Sequence, residues 1–149
     1  MNQTLTVYKA SAGSGKTFTL AVQYIKHLIG EESGNAYSHI LAVTFTNKAT
    51  AEMKDRILQQ LFGIWKGLPS SEGYLRVLQQ EMRTDGIEIP EEDIRHRAGR
   101  ALCRILHDYD RFRVETIDAF FQSVVKNLAH ELNLNANLKV DLNDGEVLD

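Results

Sequence analysis

The stretch Ala10-Ser11-Ala12-Gly13-Ser14-Gly15-Lys16-Thr17 restricts what this chain can become more than any other part of it. It lies between two segments of different character. Leu5, Thr6, Val7, Tyr8 and Lys9 are short, β-branched and aromatic, and predict a strand over 5–9. After Lys16 the apolar residues Leu20, Ala21, Tyr24, Ile25, Leu28 and Ile29 recur at helical spacing, closed by Gly30. A strand that turns through glycine into a helix start gathers backbone N–H groups and the positive end of the helix at one point. Gly13 and Gly15 let the main chain approach an anion with no side chain in the way. In a loop of this kind Lys16 reaches the β- and γ-phosphates of a nucleoside triphosphate, and the Thr17 hydroxyl ligates Mg²⁺. The eight residues from Ala10 to Thr17 are therefore the expected phosphate-binding set. Lys16 and Thr17 carry its chemistry. The general pattern begins with glycine, and this chain has Ala10 there.

Further along, Ile40, Leu41, Ala42, Val43, Thr44 and Phe45 form an almost unbroken apolar run, which predicts an interior parallel strand buried on both faces. A second helix follows, with Ala49, Met53, Ile57, Leu58, Leu61 and Phe62 on one face, broken by the residues at 67–71. Two more helices are expected over 71–84 and 91–108, separated by Asp85-Gly86 and Pro90. Glu91 and Glu92 suit a helix start. Phe112 to Glu115 is a third strand candidate. Residues 117–132 predict a helix that buries Phe120, Phe121, Val124, Val125, Leu128 and Leu132, and Leu138 to Leu142 is a last strand candidate. Strand–helix alternation implies an α/β fold with a parallel sheet flanked by helices. On such sheets ligands bind beyond the carboxyl ends of the strands, where the motifs of this chain fall.

Composition narrows the class. At 149 residues, 43% hydrophobic and 25% charged, the chain can bury a core as one domain. No apolar run approaches the roughly 20 residues of a membrane span, and no signal peptide is visible, so a cytoplasmic setting is expected. The net charge of −3 argues against a chain that is basic all over, yet leaves room for a local groove that binds nucleic acid. A single cysteine, Cys103, lies in an apolar helical stretch and is expected to be a buried inert thiol.

Two segments downstream of the glycine-rich loop point to a family. Leu41-Ala42-Val43-Thr44-Phe45-Thr46-Asn47-Lys48-Ala49-Thr50-Ala51-Glu52-Met53-Lys54-Asp55-Arg56 resembles motif Ia of superfamily 1 DNA helicases of the UvrD/Rep kind, and residues 10–17 are similar to motif I of the same group. Thr116-Ile117-Asp118-Ala119-Phe120-Phe121 resembles the next motif, usually Thr-x-His-Ser/Gly-Phe, with Asp118 in place of the histidine. The wording leans towards the RecB/AddA branch of helicase–nucleases, which processes DNA ends in recombinational repair and includes the exonuclease V beta subunit. The resemblance runs in register from residue 5 to about 132. It implies the N-terminal part of a partial RecA-like P-loop NTPase domain, residues 1–149, with a helical insertion at about 64–108 and the domain truncated at its C-terminus. It implies ATP and Mg²⁺ as cofactors, single-stranded DNA and double-stranded DNA ends as partners, and a second helicase–nuclease subunit. It also implies that Phe45, Thr46, Asn47 and Thr116 lie on DNA. From spacing alone Phe45 reads first as a core residue, and Thr116 equally as a helix cap or a DNA contact. Lys54 and Arg56 read as a solvated helix face. Arg111 and Arg113 flank the third strand, where a phosphate contact is the functional reading.

Hydrolysis needs more than a phosphate cradle. A carboxylate pair, usually on a strand ending Asp-Glu, holds Mg²⁺ and polarises water. No such strand occurs in this sequence, and Glu91-Glu92-Asp93 opens a helix instead. An ATP-dependent DNA helicase, with exonuclease activity in the full-length protein, is therefore expected to be inactive as this stretch alone. Two rival readings remain: a small P-loop kinase, which leaves residues 41–56 unexplained, and a non-catalytic nucleotide- or DNA-binding module.

Overall fold

The structure is a computed structural model that describes residues 5–9 and 14–132. Helix α1 (Ser14–Gly30) opens it and ends at the expected glycine. A 3-10 turn at Ala36–His39 leads into β1 (Ala42–Thr44). Then come α2 (Asn47–Lys66), a 3-10 turn at Pro69–Ser71, α3 (Glu72–Thr84) and α4 (Glu91–His107). A 3-10 turn at Tyr109–Arg111, strand β2 (Val114–Thr116) and α5 (Ile117–Glu131) complete the described chain. The two strands pair in parallel, Ala42 with Val114, Val43 with Glu115 and Thr44 with Thr116. Parallel strands cannot be joined by a tight turn, and α2, α3 and α4 supply the crossover. The chain is thus helix-rich with a small parallel sheet, an α/β arrangement.

Helix α2 forms where an apolar stripe meets a local stop signal. Gly67 closes α2 in a left-handed conformation at φ 68°. The Leu68 N–H donates to Gly63 O at 2.8 Å and the Gly67 N–H to Ile64 O at 3.3 Å, which satisfies carbonyls that the helix end would leave open. The core lies among the helices and one side of the strands. Ile25, Leu28 and Ile29 of α1 meet Ile57, Leu61 and Ile64 of α2, Leu78 and Met82 of α3, and Ile94, Ala98 and Ile105 of α4, with Phe112 and Val114 beneath. Helices α2 and α4 approach closely because Gly99 has no side chain. A Cβ there would stand 2.6 Å from the Trp65 indole.

Helix α4 also ties the ends of its neighbours. The Arg95 guanidinium donates to Ile64 O near the end of α2 at 2.9 Å, and Arg97 donates to Ile29 O near the end of α1 at 3.1 Å. Arg100 donates to Glu32 O at 2.6 Å, and Arg97 pairs with the Glu32 carboxylate at 3.0 Å. Cations placed on open helix carbonyls are favourable both as donors and against the helix dipole.

Several sequence expectations are corrected. Residues 5–9 form no strand, and Leu5 is 89% exposed. A strand needs a hydrogen-bonded neighbour, and the described sheet is β1 and β2 alone. Strand β1 is not buried on both faces: Ala42 and Thr44 turn partly inward while Val43 faces out. Helix α5 buries only Ala129. Phe120 and Val124 are half-buried, whereas Phe121, Val125, Leu128 and Leu132 are exposed, because α5 rests on the strand ends and no further layer of described residues covers its outer stripe. Phe62 faces out of α2. Cys103 is exposed, since Ala101, Leu102 and Ile105 take the inward positions of α4. The strand expected over 138–142 lies outside the described residues.

Candidate nucleic-acid interface and phosphate site

The two strands point the same way, so their carboxyl ends lie side by side, and each runs straight into a helix. Strand β1 passes through Phe45 and Thr46 into α2, and β2 ends at Thr116, where α5 begins. Both threonines cap the helix that follows. Thr46 Oγ1 accepts from the Ala49 N–H at 3.1 Å, and Thr116 Oγ1 accepts from the Ala119 N–H at 3.2 Å. The sequence leaves capping and ligand contact as alternatives for Thr116. Capping is what the geometry contains, and it leaves the hydroxyl proton free to donate outward.

Between these two helix starts lies a shallow groove of about 490 Å³, lined by Phe45, Thr46, Asn47, Thr116, Asp118, Ala119 and Gln122. All four residues expected on the nucleic-acid face are thus brought together, although they come from segments some seventy positions apart in the sequence. Phe45 is 87% exposed, which sets aside its reading as a core residue. An aromatic side chain held in water beside polar donors and two helix N-termini offers a flat face for stacking and partners for an anion. Asp118 and Gln122 also line the groove, one turn apart on α5. Motif wording marks Asp118 only as a departure from a pattern and passes over Gln122. The i, i+4 spacing that starts just after the Thr116 cap is the signal that could have found both.

Residues outside the groove are engaged elsewhere. The Lys54 ammonium stands over the Tyr109 ring at 5.1 Å and the Phe112 ring at 5.8 Å, so it packs on aromatics instead of lying on a solvated face. Arg56 donates to the Tyr74 hydroxyl at 3.4 Å. Arg113 pairs with Glu115 and Arg111 with Asp108, so each arginine beside β2 already has a carboxylate partner. Lys48 is exposed and loosely paired with Glu52 at 3.9 Å.

In the glycine-rich loop, residues 10–13 lie outside the described residues. Ser14, Gly15, Lys16 and Thr17 form the first turn of α1. Lys16 is exposed and makes no ion pair among the described residues, and Thr17 is half-buried. Lys16 borders an open hollow of about 390 Å³ with Thr6, Val7, Tyr8, Lys9, Thr19 and Leu20. A Cβ on Gly15 would meet nothing within 4 Å among the described residues. The N–H groups of a helix start, an exposed ammonium and a neighbouring hydroxyl are a donor set that fits the phosphates of a nucleotide with its Mg²⁺.

Helix starts set side by side at the ends of parallel strands define the chain as an α/β protein. Residues 1–146 match the family model described as the UvrD/REP helicase N-terminal domain, and the chain belongs to that family. It is similar to a large ATP-dependent helicase/nuclease subunit of Lactobacillus acidophilus, at 31% identity over 131 residues, which is 88% of this chain and 8% of that relative. The protein of the same name from Clostridium acetobutylicum is 29% identical over the same share of each chain. That from Bacillus cytotoxicus is 47% identical over 62 residues, 42% of this chain and 5% of the relative. The chain therefore spans less than a tenth of the length of these relatives. No solved structure matches. None of the described helices is long and apolar enough to cross a membrane.

Proposed function

We propose that this chain is the nucleotide- and DNA-engaging start of the first RecA-like motor domain of an ATP-dependent DNA helicase–nuclease that acts in recombinational repair. In this reading residues 10–17 hold ATP, with Lys16 on the β- and γ-phosphates and Thr17 on Mg²⁺. Phe45 stacks on a base of single-stranded DNA, while Thr46, Asn47 and Thr116 take the neighbouring phosphates. Residues 64–108 are an insertion within that domain. The setting is cytoplasmic, and the partner is a second helicase–nuclease polypeptide, in keeping with relatives whose names call them subunits.

The observation that carries this reading is the exposed Phe45 in a groove shared with Thr46, Asn47 and Thr116. Single-strand-binding surfaces combine aromatic platforms with backbone donors in this way. A small-molecule kinase has no use for such a groove, which weakens that rival. The nucleotide half is tested with a fluorescent ATP analogue and Mg²⁺. The 149-residue chain binds weakly, Lys16→Ala abolishes binding, and neither protein turns ATP over, because no strand ending Asp-Glu is present. Turnover by the parent chain that disappears in Lys16→Ala would overthrow the expectation of an inactive segment. Equal binding by both proteins would overthrow the role of Lys16.

A further inference from the structure

Among the described residues that line the groove, Asp118 is the one that carries a charge, and its charge has the wrong sign for a surface that meets phosphates. Among the described residues its carboxylate makes neither a hydrogen bond nor an ion pair, and it is exposed. It is the second residue of α5, close behind the Thr116 cap, so it sits at the helix end whose dipole would otherwise be offered to an anion. Among the described residues no lysine or arginine lines the groove to offset it; Lys48, next in sequence to Asn47, is exposed and loosely paired with Glu52. The grip available to a nucleic-acid strand is therefore built from neutral donors, two helix starts and an aromatic face, opposed by one fixed negative charge.

We propose that Asp118 is an electrostatic brake on the groove, a carboxylate set against the strand's phosphates that keeps single-stranded DNA loosely held. The inference rests on the reading of the groove as a DNA surface. A surface that must let a strand pass has to release each phosphate as readily as it takes it, and repulsion at one point lowers the affinity without removing the stacking or the donors that set position. The carboxylate acts through space and not through packing, so its effect follows its charge. Two unit charges about 5–8 Å apart at the surface, between the dielectric limits of water and protein, change affinity by about threefold to tenfold at low salt. The effect fades once the ionic strength brings the screening length below about 5 Å.

The test is fluorescence anisotropy of a labelled oligothymidine with the 149-residue chain and its Asp118→Asn, Asp118→Glu, Asp118→His and Phe45→Ala variants, titrated from low to high salt. Asp118→Asn binds about threefold to tenfold tighter at low salt, and the gain shrinks as salt rises. Asp118→Glu keeps the parent affinity, and Asp118→His gains further as the pH falls below about 6.5, where imidazole becomes a cation. Unchanged or weaker binding by Asp118→Asn, with Phe45→Ala still impaired, overturns the brake and leaves the DNA surface standing. If Phe45→Ala also binds like the parent, or if no variant binds at all, the DNA surface and the brake both fall.

Discussion

Replacing Phe45 by alanine separates binding from stability. Large-to-small substitutions usually destabilise because they remove buried surface and leave a cavity. Phe45 has almost nothing to lose in that respect, since it is 87% exposed and precedes the Thr46 cap without taking part in it. Its removal should therefore change folding stability by no more than about 0.5 kcal/mol, the usual range for surface sites. Stacking of a base on an aromatic side chain is worth about 1–3 kcal/mol. The loss in affinity for single-stranded DNA is then roughly fivefold to 150-fold, at constant salt. Urea titration followed by far-UV circular dichroism gives the first quantity, and anisotropy with a labelled oligonucleotide the second. A Phe45→Ala protein that binds DNA as the parent does would show that the ring is not a base platform. One that unfolds at much lower urea would show that it is packed in a way the exposure denies.

Two further substitutions probe the scaffold. Gly99→Ala places a methyl group 2.6 Å from the Trp65 ring, which cannot bend away as a flexible chain would. It should cost about 1–3 kcal/mol of stability and alter the fluorescence of Trp65, the chain's one tryptophan, and an unshifted spectrum with full stability would refute the close approach. Tyr24 is buried against Phe112 with its hydroxyl unpartnered among the described residues, and burial raises its pKa far above the ordinary value. A raised folded-state pKa means that this contribution to stability is complete below about pH 10 and is lost as the pH climbs beyond it. Tyr24→Phe should remove that share of the alkaline loss and be neutral or stabilising at pH 7, measured by denaturant titration at both pH values, and clear destabilisation at pH 7 would mean that the hydroxyl has a partner.

Much of the helical frame was legible because helices are fixed locally. The spacing of Ala21, Tyr24, Ile25, Leu28 and Ile29, the stop at Gly67 and the start after Pro90 each act within a few residues, and α1, α2 and α4 follow them. The strands were harder. Leu5 and Val7 have strand chemistry but no paired neighbour among the described residues, and pairing is a long-range property that five residues do not encode. The outer stripe of α5 reads as buried because apolar periodicity says which side chains share a face, and not whether anything covers it. The exposure of Cys103 is hidden in the sequence for a related reason: the apolar run around it is continuous, and only the inward turn of Ala101, Leu102 and Ile105 shows which positions are left outside. In the groove, Phe45 and Thr116 could be found from motif wording, whereas the approach of Asp118 and Gln122 to Phe45 depends on the pairing of Thr44 with Thr116.

That pairing also bears on the order in which the chain assembles. Pairing Ala42 with Val114 closes a loop that holds three helices, and the entropy this costs is offset by the packing of those helices. Short-range helical contacts are therefore expected to form before the strand pairing that sets the groove. Any slip in the middle of the polypeptide, at Gly63 or Gly99 for instance, should therefore register first as a misaligned cleft, in amide exchange at β1 and β2, well before the helices themselves loosen.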